Sequence, residues 1–124
     1  MLNNKTIIIT GVGKGIGYDV AQKVISYGGY VYGVTRSKQD INKFKNFKNC
    51  KIFIGDVTKK TTLQKIINFS KKEKRLLTGL VNNAGERQRL PFDKISKEKL
   101  NNIFEINFFS VFENMKIFSK YLKL

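Results

Sequence analysis

Apolar residues fall along this chain in short β-branched runs separated by stretches of helical period. Ile7-Ile8-Ile9 is the first run and reads as a buried strand. Ile16, Val20, Ala21, Val24 and Ile25 then repeat every three or four positions, as one face of a helix does. After a turn at Tyr27-Gly28-Gly29, Tyr30–Thr35 reads as a second strand. Ser37 is placed to cap a lysine-rich helix through about Phe47, with Ile41, Phe44 and Phe47 on one side. Lys51–Gly55 is a third strand, and Thr58 or Thr61 begins a helix that turns Leu63, Ile66, Ile67 and Ser70 inward. Leu77–Asn82 is a fourth strand, and Pro91 breaks the loop after it. Ser96 opens a long last helix with Leu100, Ile103, Phe104, Phe108, Val111, Phe112, Met115, Phe118 and Leu122 inward. Ile106, Phe109, Ile117 and Tyr121 make a second apolar face on that helix, which points to a partner. Strands alternating with helices predict an α/β fold: a parallel sheet with helices on both faces, right-handed crossovers and the strand order 3-2-1-4.

Between the first strand and first helix lie Gly11, Gly13, Gly15 and Gly17. Strand, glycine turn and helix is the arrangement in which backbone N–H groups and the positive end of a helix dipole receive a phosphate. The spacing is selective. G-x-G-x-x-G fails, because Ile16 and Tyr18 stand where its third glycine would fall. A phosphate-loop NTPase motif fails too, because Lys14 is followed by Gly15 and has no glycine five residues before it. The pattern present is T-G-x-x-x-G-x-G, from Thr10, Gly11, Gly15 and Gly17.

Composition adds limits. With 124 residues the chain is one domain at most, and 41% hydrophobic content suits a packed core. Cys50 is alone and there is no His, so neither a disulfide framework nor a Cys/His zinc site is expected, and no metal is assigned. No apolar run reaches the length of a signal core or membrane span, so a cytoplasmic protein without a membrane is expected. The net charge is +15, from 24 basic against 9 acidic residues, which raises nucleic acid as a partner. The positive residues are mostly lysines dispersed along the chain, and no nucleic-acid motif accompanies them. Only weak, salt-sensitive, non-specific association is expected.

Thr10-Gly11-x-x-x-Gly15-x-Gly17, Asp56-Val57, Asn82-Asn83-Ala84-Gly85 and Asn107, in that order, make the chain resemble the short-chain dehydrogenase/reductase family. The resemblance implies a Rossmann-like NAD(P)-binding domain over residues 1–124, truncated so that the second half of the sheet is missing. It implies that Gly11, Lys14, Gly15, Ile16 and Gly17 hold the pyrophosphate of a dinucleotide. Asp56 and Val57 would border the adenine, and Asn83, Ala84 and Gly85 the ribose. Asn107 would be the catalytic position that interrupts the last helix, on the seam between Phe104 and Phe108. That helix would also contribute to a homo-oligomer.

Cofactor preference can be read further. A carboxylate at the end of the second strand would take a ribose 2′-hydroxyl. Thr35 stands there instead, Arg36 is next, and Lys14 lies in the glycine turn, so NADP is expected ahead of NAD. The family's Tyr-x-x-x-Lys is absent, since positions four beyond Tyr18, Tyr27, Tyr30 and Tyr32 hold Gln22, Val31, Val34 and Arg36. Three readings remain open: an NADP-preferring oxidoreductase moving a hydride to or from a carbonyl or alcohol substrate, an inactive nucleotide-binding fragment, or a basic nucleic-acid-binding protein.

Overall fold

The computed structural model describes residues 1–123. Four parallel strands form one sheet in the order β3-β2-β1-β4: β1 Thr6–Thr10, β2 Tyr30–Thr35, β3 Cys50–Ile54 and β4 Leu77–Val81. Alternating side chains along β1 and β2 divide the core into two layers. On one face α1 (Gly15–Ser26) sets Ala21 and Val24 against Ile9, Val12, Val31 and Phe44. On the other, α3 (Lys60–Lys72) packs Leu63, Ile66 and Ile67 with Ile8, Tyr32, Val34 and Phe53. Fully burying a side chain such as Ile66 contributes roughly 1.5–3 kcal/mol, so these apolar runs hold the sheet that carries the turns at its edge. The β1–β4 ladder slips after Thr6, and the Thr78 hydroxyl repairs it, accepting from Thr6 N at 2.9 Å and donating to Thr6 O at 3.1 Å.

Two helical expectations are corrected, and the choice between Thr58 and Thr61 as the start of α3 falls next to Thr61. The lysine-rich helix expected through Phe47 is a 3-10 turn at Lys38–Asp40 followed by α2, a single turn at Ile41–Phe44. Phe44 is its one buried residue and Ile41 is 43% exposed, so further turns would have no core to hold them. α3 begins beyond Lys59, because Thr58 donates both its N–H and its hydroxyl to Asp56 Oδ1, each at 2.8 Å.

The last helix is interrupted around Asn107, as the resemblance implies, but the faces it presents differ from those expected. Ser96 caps it as expected, accepting from Lys99 N at 3.2 Å, but it runs in three pieces. They are α4 (Lys97–Phe104), a π-helical turn at Glu105–Phe109, and α5 (Ser110–Phe118). A π turn inserts a residue into the helical repeat and rotates the next segment by about 100°. α5 therefore presents Ser110, Asn114 and Phe118 to the interior. Leu100, Phe104, Phe108, Phe112 and Met115, expected inward, are 46–60% exposed. Ile117 and Tyr121, expected outward, pack on the core. Past α5, Leu122 bridges to Leu77 in parallel, and Lys123 N donates to Leu77 O at 2.7 Å. Beyond that bridge β4 is an edge strand among the described residues. No helix among them is long and apolar enough to cross a membrane.

Candidate functional site

The Thr10 hydroxyl, at the end of β1, is the first fixed point. It accepts the N–H groups of Asn83 and Ala84, each at 3.0 Å, and donates to Val81 O at 3.5 Å. The Asn83 amide in turn donates to Thr10 O at 3.1 Å and Gly11 O at 3.0 Å. The glycine turn is also tied to β2, since Gly11 N and Val12 N donate to Val34 O at 2.8 and 3.1 Å. The end of β4 is thus laced to the turn after β1, and the Asn83 side chain is occupied in that lacing.

The glycines divide by role. Gly11 has φ +71°, and a Cβ there would press on the Ala84 Cα at 2.9 Å. A Cβ on Gly17 would strike the Gly11 carbonyl and the Asn83 amide, and one on Gly13 would strike the Asp40 carboxyl group. Gly15 differs. Its φ is +55° and nothing lies within 4 Å of where its Cβ would be, so bare backbone meets open space. Lys14 is the N-cap of α1, no side chain caps that end, and its first turn holds no acidic residue. These are the conditions for receiving an anion.

A cavity of about 660 Å³ opens above this turn. It lies at the carboxyl ends of the strands, beside β1 and β4, where the strand order reverses. Gly11, Lys14, Gly15, Ile16, Arg36, Asp56, Val57, Asn83, Ala84 and Gly85 all line it. Gly17 lies beneath the turn rather than in the wall. Lys14 and Arg36 make no ion pair among the described residues, although the charge of Lys14 is felt by Asp40 and that of Arg36 by Asp56.

Asp56 sits in the wall after β3. Burial raises its pKa, but the two hydrogen bonds from Thr58 and the charges of Lys59 and Arg36 outweigh that and hold it below the usual carboxylate range. Only Oδ1 takes the Thr58 bonds, and Oδ2 is the oxygen left to accept from a ligand.

Asn107 is not in the cavity wall, nor is it buried between Phe104 and Phe108. It is exposed on the π turn, and its amide grips the loop after β4. Asn107 Oδ1 accepts from Glu86 N at 2.7 Å and its Nδ2 donates to Glu86 O at 2.6 Å. The wall residue from this helix is Ile106.

Asp40, Lys43 and Thr35 were not among the expected site residues. Thr35 Oγ1 donates to Asp40 Oδ2 at 2.5 Å, Lys43 Nζ pairs with Asp40 Oδ1 at 2.8 Å, and Lys43 also donates to the Gly13 carbonyl. The bonds from Lys43 and Thr35 hold the Asp40 pKa low against the opposing effect of burial. The only sequence signal for this cluster was the Asp40/Lys43 spacing of three, which any surface helix can carry. Tyr32 lies fully inside the sheet, outside the cavity wall, with its hydroxyl unpartnered, and burial pushes its pKa up to about 12.

The site offers donors and an acceptor: bare backbone at Gly15, an open helix end and two cations can donate, and the Asp56 carboxylate can accept. The family model for short chain dehydrogenase matches residues 5–123. An uncharacterized oxidoreductase of Saccharomyces cerevisiae is 32% identical over 114 residues, 86% of this chain and 44% of that protein. An NADPH-dependent 3-dehydrocapnine reductase of Ornithobacterium rhinotracheale is 32% identical over 117 residues, 89% of this chain and 41% of that one. A solved short chain dehydrogenases/reductase from Saccharomyces cerevisiae superposes with a TM-score of 0.87 at 28% identity, covering 95% of this chain and 49% of its own. The chain thus spans under half the length of these relatives.

Proposed function

This chain belongs to the short-chain dehydrogenase/reductase family, and on that premise we propose that it is the cofactor-binding portion of an NADP-preferring oxidoreductase. When bound, the nicotinamide supplies the hydride exchanged with a carbonyl or alcohol substrate. The observation that supports NADP is the pair of unpaired cations, Lys14 and Arg36, in the wall of one cleft. A 2′-phosphate carries negative charge that a 2′-hydroxyl lacks, and two such cations suit it. Gly15 and the start of α1 would take the pyrophosphate. Asp56 Oδ2 would accept from the adenine amino group, with Val57 beside it. The backbone of Asn83, Ala84 and Gly85 would lie along a ribose. Asn107 enters as a positioning residue whose amide fixes the loop at Glu86.

Calorimetry with NADPH and NADH tests the preference. NADPH should bind more tightly by about 1.5–3 kcal/mol, the worth of a charge-assisted contact, and Arg36→Asp should abolish most of the difference. Equal affinities in the wild type would overturn the reading.

A second reading is a nucleotide-binding chain without chemistry of its own. Oxidation of NADPH in the presence of aldehydes or ketones supports the first reading, and binding without turnover the second. The exposed Phe104, Phe108, Phe112 and Met115 stripe is the surface that would meet a second copy.

A further inference from the structure

The wall formed by the end of β2 holds a carboxylate as well as cations. Asp40 reaches the cavity from the 3-10 turn, five residues past Thr35, and lines it together with Lys14, Arg36 and Ser37. Its side chain is 14% exposed and its place is closely determined. Thr35 bonds one oxygen, Lys43 bonds the other, and Gly13 lies so near that no side chain fits between them. Lys43 closes a ring by also bonding the Gly13 carbonyl, which joins the glycine turn to the end of β2. Asp40 Oδ1 and Oδ2 each take one side-chain donor, so each keeps a lone pair free for another. Alone, a carboxylate here would repel a phosphate dianion and welcome a hydroxyl. Beside Lys43 its charge is cancelled.

We propose that the Asp40–Lys43 pair determines the cleft's selectivity between a ribose 2′-phosphate and a 2′-hydroxyl. With the pair intact, Lys43 offsets the Asp40 charge, and Lys14 and Arg36 prevail at a 2′-phosphate. With Lys43 removed, Asp40 repels the phosphate and accepts from the hydroxyl. The inference rests on the cofactor reading above and adds two residues to it, neither of them at the glycine turn or directly after β2.

The test measures binding of adenosine 2′,5′-bisphosphate and adenosine 5′-monophosphate to the chain by calorimetry, and the readout is the ratio of the two affinities. Lys43→Met should lower the ratio of bisphosphate to monophosphate affinity about tenfold, as loss of a charge-assisted partner does. Lys43→Arg should hold it near the wild-type value. Asp40→Asn, which frees the Lys43 ammonium, should raise it. A ratio that Lys43→Met leaves unmoved, with both ligands weakened alike, would mean the pair only braces the turn and would overturn the inference. Should Lys43→Met fail to fold, Asp40→Asn decides, and a ratio that does not rise overturns the inference. A wild type that favours the monophosphate overturns the NADP reading, while the shift between variants still decides the inference. A wild type that binds neither nucleotide overturns both.

Discussion

The turn from Thr10 to Gly17 and the helix from Lys97 to Phe118 stand in opposite relations to their side chains. In the turn, small and polar residues are enclosed: Thr10 is 1% exposed, and its hydroxyl and the Asn83 amide bond to backbone on both sides of the β1–β4 seam. In the helix, six large apolar residues face outward while Ser110 and Asn114 are buried. Asn114 Nδ2 donates to Asn82 Oδ1 at 3.0 Å, but its own buried Oδ1 has no partner. The turn is held by close backbone approach, which leaves no room for an added atom at Gly11, Gly13 or Gly17. The helix is held by a few contacts near its end, and its outer stripe does nothing for the monomer's core. One region should therefore be brittle and the other permissive.

The largest effect that would sharpen this contrast is expected at Gly17. Helix propensity alone favours Gly17→Ala by about 1 kcal/mol, because Gly17 lies inside α1. Crowding against the Gly11 carbonyl and the Asn83 amide acts the other way, and a net loss of about 3 kcal/mol is expected from overpacking against fixed backbone. Chemical denaturation reads the sign directly, and a stabilised variant would show that the turn yields.

Thr10→Val comes next. It keeps the shape and removes the acceptor of two N–H groups, so a loss of about 2 kcal/mol is expected from leaving them unpaired. An unchanged denaturation midpoint would mean that water replaces the hydroxyl and that the seam is looser than its distances suggest.

The smallest effect should come from the helix. Phe108→Glu with Phe112→Lys places an i,i+4 ion pair on the exposed stripe, and stability should move by no more than about 0.5 kcal/mol. Sedimentation should show less self-association than the wild type. A variant that unfolds would break the comparison, since the stripe would then belong to the monomer's core.

By itself, the sequence determined the strands, their order and most of the cleft. β-branched runs of strand length and a glycine turn at one spacing are local signals, and parallel strands joined by helices leave few topologies open. The residues predicted around the glycine turn, Arg36, Asp56-Val57 and Asn83-Ala84-Gly85 fall together because each comes directly after a strand end, and a sheet brings strand ends together. Tertiary structure alone decided what depends on rotation about an axis or on a reach of several residues. The π turn at Glu105–Phe109 leaves no mark in a hydrophobic pattern, yet it turns α5 over and exchanges buried for exposed residues. Asp40 lines the cleft from the end of the 3-10 turn, where Thr35, Lys43 and Gly13 converge on its carboxylate. Periodicity records which residues share a face. Which face meets the sheet, and which charge meets the cavity, is settled only when the elements pack.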